Sequence, residues 1–186
     1  MAYASLREKG FEILKLNIGS ENLDSEAIAI AALADEIWHE HYTPIIGEAQ
    51  VNYMLAKFQS AGRILEDIIS DNYTYYTAKC AKSGKLAAYS ACQPKGEYVL
   101  LSKLYVHKDY RRNGIARHLL GEAAALCRDT CNLDIIRLTV NKYNDGSIAM
   151  YKKVGFTIID SVKSDIGGGF YMDDYIMEAP AELLAL

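Results

Sequence analysis

Apolar and polar positions follow two different patterns along the chain, and the first part is mainly helical. Apolar residues alternate over residues 11–17, which predicts a first strand. From Ala27 to His41 they recur close to the helical period, which predicts an amphipathic helix capped by Asp24 or Ser25. Two further helices are predicted over residues 48–60 and 63–69.

From residue 72 onward the pattern becomes typical of strands. Two runs rich in Tyr, Thr and Ala flank the polar turn 82–85, which predicts a β-hairpin. The run at 135–140 is almost wholly apolar, which predicts a strand buried on both faces. Gly155 is expected to end a short helix in the C′ position. The elements predicted here are strands at 72–81, 86–93 and 98–106, a helix opened by Asn113 and Gly114, the strand at 135–140, a helix at 145–154, and strands at 156–162 and 170–178.

The order of these elements predicts a fold class. A strand, a group of helices, a three-strand meander and then alternating helices and strands indicate an α+β (mixed α/β) domain on one central sheet. The chain has 186 residues and no internal repeat or linker, so a single domain over residues 1–186 is expected.

Composition and charge narrow the class of partner. Hydrophobic residues make up 51% of the chain and charged residues 24%, as in a folded soluble protein. The net charge of −4 disfavours nucleic acid as the main partner, because phosphate contacts require a basic excess. The longest apolar run, residues 27–34, is far shorter than the roughly 20 residues of a membrane span. Residues 7–9 are charged where a signal peptide would be apolar, so a cytoplasmic location without a membrane partner is expected.

The four cysteines show no pattern typical of a metal site. Cys80, Cys92, Cys127 and Cys131 contain no C-x-x-C pair and no neighbouring histidine cluster. Reduced, mostly buried thiols are expected, and no metal is predicted.

A basic loop precedes the long helix. Lys108, Arg111, Arg112 and Arg117 lie close to the helix start, where backbone N–H groups have no intrahelical partner. Small residues such as Gly114 would let a ligand approach that backbone, so an anion-binding cradle, most naturally for phosphate, is one interpretation. A solvated basic turn is the alternative. The Walker and dinucleotide fingerprints are absent, which disfavours a nucleotide-phosphate binder.

Two motifs resemble those of a known family. Residues 111–116, Arg-Arg-Asn-Gly-Ile-Ala, match R/Q-x-x-G-x-G/A, the acyl-CoA pyrophosphate loop of the GNAT family of N-acetyltransferases. Residues 144–156 resemble the family pattern N-x-x-A-x-x-x-Y-x-x-x-G-F, with Ser147 in place of the alanine. Both motifs occur in order between the expected strands and helices, so the sequence is identified as a member of this family over about residues 10–178.

The resemblance implies a fold, a co-substrate and a set of roles. It implies a central, mostly antiparallel sheet flanked by helices, and direct acetyl transfer from acetyl-CoA to an amine. Tyr151 would be the acid that protonates the CoA thiolate, and a backbone N–H near Val106 would hold the oxyanion. A helix N-cap is the alternative role for Asn144, and a core position the alternative for Tyr151. The residues that the resemblance assigns to acetyl-CoA are Leu104, Tyr105, Val106, Arg111, Arg112, Asn113, Gly114, Ile115, Ala116, Arg117 and Asn144.

One family feature is missing. Many relatives carry a glutamate general base near the position of Ser102, whose hydroxyl cannot accept a proton at neutral pH except within a water chain. Glu97, His41, Asp173 or water are the alternatives that the sequence leaves open.

The acceptor side is indicated by two segments. Trp38, His41 and Tyr42 lie where the family lines its acceptor groove, and residues 167–175 resemble the bacterial spermidine/spermine-type branch. Aromatic rings together with Asp173 and Asp174 suit a cationic amine, so a small primary amine or polyamine is expected. A protein N-terminus or lysine as acceptor, and a non-catalytic acyl-CoA-binding regulator, are the alternatives. A homodimer is left open.

Overall fold

A central sheet and its surrounding helices are formed by residues 6–186, the part of the chain that this computed structural model describes. The strands are β1 (Phe11–Leu16), β2 (Thr74–Cys80), β3 (Leu86–Lys95), β4 (Tyr98–Val106), β5 (Ile135–Asn141), β6 (Thr157–Gly167) and β7 (Phe170–Pro180). The helices are α1 (Leu23–His41), α2 (Thr43–Ile46), α3 (Glu48–Phe58), α4 (Ala61–Ile69), α5 (Ile115–Ala125), α6 (Asp145–Lys153) and α7 (Ala181–Leu184). A 3-10 turn, Lys108–Tyr110, precedes α5, and a π-helical turn, Leu126–Thr130, follows it.

The sheet is mixed but mostly antiparallel. Its strands run in the order β1-β2-β3-β4-β5-β7-β6. β4 and β5 are parallel and paired at Val99–Ile136 and Leu100–Arg137, whereas β5–β7 and β6–β7 are antiparallel. The predicted fold class, a mixed α/β domain with helices flanking one sheet, is confirmed.

The chain forms two compact units. The first contains the described residues up to Gln93 together with Lys103–Leu119, and the second contains Pro94–Ser102 and Leu120–Leu186. The single domain expected over residues 1–186 stays a prediction.

In the first unit, the apolar face of α1 is buried as its period predicts. Ala27, Ile30 and Ala34 are fully buried. The predicted cap is wrong: Asn22, in a left-handed conformation with φ 58°, precedes the helix. The Ser25 hydroxyl instead donates to the Asn22 carbonyl at 2.8 Å, so the serine side chain braces the first turn from inside the helix.

In the second unit, β5 is buried on one face only. Ile136 and Leu138 are buried, whereas Thr139 between the covered positions is exposed. The prediction of burial on both faces is therefore wrong. On the open face the Arg137 guanidinium stacks on the Tyr98 ring at 3.9 Å and pairs with Glu178, so charged groups cover it in place of a helix.

Of the last four elements, α6 ends as predicted, β6 and β7 are longer than predicted, and α7 was not predicted. Gly155 ends α6 with φ 111°, as predicted. β6 and β7 are longer than predicted, because their ladder continues to the Gly168–Gly169 turn, where both residues have positive φ. Helix α7 was not predicted, since four residues carry too little periodic signal.

The described residues contain no membrane-length apolar helix and no group of three potential metal ligands. None of the helices within residues 6–186 is both long and apolar enough to cross a bilayer. No three His, Cys, Asp or Glu side chains of these residues converge on a point that could hold an ion. All four cysteines are free thiols, with Cys92 and Cys127 buried and Cys80 and Cys131 partly exposed.

A buried ionic network anchors β4 in the first unit. The Lys103 ammonium, 6% exposed, donates to Asp67 at 2.6 Å and to the Tyr75 hydroxyl at 2.5 Å. The Tyr75 hydroxyl also donates to Asp67, and Arg63 binds the other Asp67 oxygen at 2.7 Å. Burial lowers the pKa of Lys103, and the Asp67 carboxylate opposes that shift. The network fixes the strand whose last residues belong to the candidate site.

We expect Lys103→Met to destabilise the chain by about 3–5 kcal/mol, because it leaves the Asp67 charge buried with fewer partners. Urea unfolding followed by circular dichroism measures the change. Lys95→Met, at an exposed lysine, is the matched control and should change stability by no more than about 0.5 kcal/mol. Equal effects of both substitutions would show that the network contributes no net stability.

Candidate active site

The loop before α5 has the backbone shape expected of an anion cradle. Gly114 has φ 85° and Arg112 has φ 66°, both in the left-handed region that favours glycine. The Asn113 side-chain amide donates to the Tyr110 carbonyl at 3.1 Å, which holds the turn between the 3-10 turn and the helix. These two left-handed residues form a tight turn immediately before α5 begins at Ile115.

The first turn of α5 presents the positive end of the helix. The His118 N–H donates to the Gly114 carbonyl at 3.2 Å and is the amide that closes the first helical turn. Amides before that position have no intrahelical carbonyl to bind, and they lie at the positive pole of the helix macrodipole. This arrangement suits a phosphate group.

Basic side chains surround this loop within the first unit. Arg111 donates from Nε to the Val106 carbonyl at 3.2 Å and pairs with Glu40 of α1 at 3.3 Å. The Lys9 ammonium donates to the Asn113 carbonyl at 3.2 Å. Lys9 was not predicted as part of the site, and it lies 104 positions away from Asn113, so no local sequence signal could have indicated it.

The end of β4 packs on the start of α5. Leu104 and Val106 lie against the buried cluster that contains Ile115 and Leu119. The paired register of β4 and β5 covers only Val99 and Leu100 of β4. The later residues of β4, including the predicted Leu104, Tyr105 and Val106, lie outside that ladder.

An aromatic cluster joins α1 to β4. The Trp38 ring centroid lies 4.7 Å from that of Tyr42 and 5.7 Å from that of Tyr105. His41 packs edge-on against Tyr42 at 4.8 Å. Trp38 is 4% exposed and belongs to the core, whereas His41, Tyr42 and Tyr105 are half-buried. The structure therefore brings the three predicted acceptor residues of this segment together. Exposed carboxylates occur on the same helix at Asp35, Glu36 and Glu40.

In the second unit, Asn144 and Tyr151 have the structural roles that were the alternatives to function. Asn144 caps α6 by accepting from the Ser147 N–H at 3.3 Å, and it is 3% exposed. The Tyr151 ring, 8% exposed, packs edge-on against Phe156 at 5.4 Å. These contacts fix the orientation of both side chains, and their roles toward acetyl-CoA stay predictions.

The candidate bases differ sharply in their surroundings. Ser102 and Glu97 are exposed. Asp173 pairs with the Lys142 ammonium at 2.6 Å. Asp174, next to it, is 7% exposed, and its carboxyl pKa is raised to about 6, mainly by burial and also by the Asp173 charge, with Lys142 acting in the opposite direction. The two aspartates are neighbours in the sequence, but in the fold Asp173 forms an ion pair and Asp174 is buried without one.

Comparison with known proteins places this chain among acetyltransferases. The family model described as the Acetyltransferase (GNAT) family matches residues 31–156, a range that contains both motifs. No curated protein matches the chain.

Several solved structures have the same fold. The PaiA N-acetyltransferase of Thermoplasma acidophilum, in complex with coenzyme A, is 22% identical with a TM-score of 0.74, over 91% of this chain and 98% of that one. A GNAT-family acetyltransferase of Streptococcus pneumoniae is 20% identical with a TM-score of 0.65, over 91% and 98%. A chimera of the spermidine N-acetyltransferase SpeG of Vibrio cholerae and hSSAT is 15% identical with a TM-score of 0.63, over 94% and 98%. At these identities the likeness is one of fold.

Proposed function

This chain belongs to the GNAT family of acetyltransferases, which use acetyl-CoA as co-substrate, and we propose that it acetylates a small primary amine such as a polyamine. The observation that carries the proposal is the loop before α5, where a left-handed Gly114 and surrounding cations suit a pyrophosphate.

Acetyl-CoA would be held mainly by backbone. The amides of the first turn of α5, together with Arg112 and Arg117, would bind the pyrophosphate, and Lys9 adds a positive charge beside Asn113. The strand residues Leu104, Tyr105 and Val106 would pair with the pantetheine arm, which is supported by their position outside the β4–β5 ladder. Asn144 would contribute from the start of α6.

The reaction needs no covalent enzyme intermediate. The amine nitrogen attacks the thioester carbonyl carbon, and the backbone N–H near Val106 stabilises the oxyanion that forms. As the C–S bond breaks, Tyr151 donates its proton to the CoA thiolate. Positioning of the two substrates supplies a large share of the acceleration.

A cationic acceptor is supported by charge and composition. The carboxylates of Asp35, Glu36 and Glu40 lie on the helix that carries the aromatic cluster, and the whole chain has a net charge of −4. Tyr42 and Tyr105 are half-buried aromatic residues, a type of side chain that binds ammonium groups. One structural relative is named a spermidine N-acetyltransferase, which agrees with this class of acceptor.

We expect small amines to be acetylated with a higher kcat/KM than lysine-containing peptides. The decisive measurement is release of free CoA thiol with spermidine, simple diamines, aminoglycosides and peptides compared at modest ionic strength. Because attraction of a polycation is screened by salt, the advantage of spermidine over a monoamine should shrink as salt rises. A preference for peptides would replace the small-amine proposal with protein acetylation.

The non-catalytic regulator is the second candidate, and the serine at position 102 favours it. Such a protein would bind acetyl-CoA with the same cradle and would release no thiol with any amine. The same panel therefore separates it from the enzyme, provided that calorimetry shows acetyl-CoA binding in parallel.

A further inference from the structure

Asp174 is a buried carboxylate without a partner. It is 7% exposed, and within residues 6–186 its side chain has neither a hydrogen bond nor an ion pair. The nearby Lys142 ammonium is bound by Asp173 instead. Buried polar groups are almost always paired, because an unpaired one costs free energy. Neither Asp174 oxygen is among the fully enclosed unpaired atoms of the described residues, so the carboxylate keeps a small opening to solvent.

The strand register places Asp174 on the open face of the sheet. It lies opposite Asn141 of β5 and Val162 of β6. Directly opposed residues point to the same face, and alternate residues along a strand share a face. Asp174 and Asn141 therefore share the face of Arg137 and Thr139, the less buried face of β5.

Ser102 of β4 lies on the same face of the sheet as Arg137 and Asp174. Leu100 of β4 pairs with Arg137, and Ser102 follows two residues later as an exposed residue. Two strand spacings, about 10 Å, separate the β4 and β7 backbones in this unit. A carboxylate on β7 thus lies on the same face of the sheet as an acid at position 102 would.

Asp174 of β7 also lies opposite the last residue of β5, the end from which the chain continues to the proposed acid. Asn141 is the last residue of β5, and Asn144 begins α6, the helix that carries Tyr151. The second unit therefore supplies both a candidate base, Asp174 of β7, and the proposed acid, Tyr151 of α6.

We propose that Asp174 is the general base that deprotonates the acceptor ammonium, in place of the carboxylate absent at Ser102; this rests on the amine acetylation proposed above. The ammonium gives one proton to the Asp174 carboxylate, which passes it to solvent. The neutral amine then attacks the thioester, forming the C–N bond and breaking the C–S bond. The thiolate takes the Tyr151 proton, and the second proton leaving nitrogen restores the phenol. One proton is released per turnover.

The surroundings of Asp174 tune it for this task. Burial and the Asp173 charge together raise its pKa to about 6, against the lowering effect of Lys142. From β5 the neutral Asn141 lies opposite it, and from β6 Val162. The charged residues further along the same face are Asp160, opposite Ile176, and the Arg137–Glu178 pair, whereas Lys163 lies opposite Asp173 on the other face. A base works best when its pKa lies near the working pH.

The test is the pH profile of kcat/KM for wild type and Asp174→Asn, using the best amine of the panel. Wild type should lose activity as pH falls through about 6. Asp174→Asn should lose about 10²–10⁴-fold at pH 7, and the difference should close as pH approaches the pKa of the amine, where no base is needed. Glu12→Gln removes an exposed carboxylate of β1 and should change nothing.

Two neighbouring variants sharpen the test. Asp173→Asn should move the acid limb to lower pH, because it removes a nearby negative charge and frees Lys142. Lys142→Met should move the limb to higher pH, because it removes the cation that lowers the Asp174 pKa. If Asp174 had only a structural role, neither substitution would shift the acid limb of the pH profile.

The failures are distinguishable. If wild type acetylates no amine, the proposed function is wrong. If wild type is active and Asp174→Asn either matches it or loses the same factor at every pH with unchanged acetyl-CoA affinity, the proposed function stands and the base assignment is overturned. A uniform loss confined to KM would make Asp174 a binding residue.

Discussion

Gly114→Asp is expected to weaken acetyl-CoA binding by about 100-fold or more without unfolding the chain. At φ 85° a Cβ on residue 114 would lie 3.6 Å from the Lys9 ammonium, so the new carboxylate would pair with that cation. It would also place a negative charge beside the bound pyrophosphate, and two like charges about 5 Å apart repel by about 3 kcal/mol at an effective dielectric constant near 20. Isothermal titration calorimetry with acetyl-CoA measures the loss.

Gly96→Asp is the matched control. Gly96 also has positive φ, 60°, and its Cβ would meet nothing within 4 Å, so backbone strain and added charge are alike in both variants. Only the position relative to the cradle differs. A folded Gly114→Asp variant with wild-type affinity would show that the pyrophosphate binds elsewhere.

Tyr151→Phe should lower kcat by about 10²–10⁴-fold while acetyl-CoA affinity stays unchanged. In the proposed mechanism the hydroxyl is needed only when the thiolate leaves, and phenylalanine keeps the edge-on packing against Phe156. Single-turnover kinetics with the best amine, combined with calorimetry, separate the chemical step from binding.

Tyr143→Phe removes a hydroxyl from a ring that is 70% exposed and provides the comparison. It should leave both rate and affinity at wild-type values. Parallel losses of rate and affinity in Tyr151→Phe would make Tyr151 a packing residue, as the core alternative holds.

The elements were predictable wherever local signals agree. The bounds of β4 follow from a strand pattern that begins after the Gly96 turn and ends at a basic loop. Gly114 and Gly155 were predictable because only glycine adopts their positive φ without strain. Burial of β5 was mispredicted, since Ile135 and Arg137 lie on an open face that composition alone does not distinguish from a covered one.

The missing parts of the candidate site depend on contacts distant in sequence. Lys9 reaches Asn113 from the start of the chain, and Glu40 reaches Arg111 from α1. The two aspartates of β7 illustrate the same limit. Strand alternation puts Asp173 and Asp174 on opposite faces, but only the folded chain shows that Lys142 pairs with the first and that the second is buried alone.

The lone carboxylate of Asp174 has a consequence for the stability of the fold. Its folded pKa of about 6 stands above the 3.8 of a solvated aspartate, a difference equivalent to about 3 kcal/mol. Between these values the folded chain binds more protons than the unfolded chain, so the free energy of unfolding falls as pH rises. Below about pH 4 both states are protonated and the cost is absent, whereas above about pH 6 it is borne in full. For Asp174 as the proposed base, the pH range that favours turnover is the range in which the fold is weakened. A better-packed residue at position 174 is therefore expected to stabilise the chain and abolish turnover.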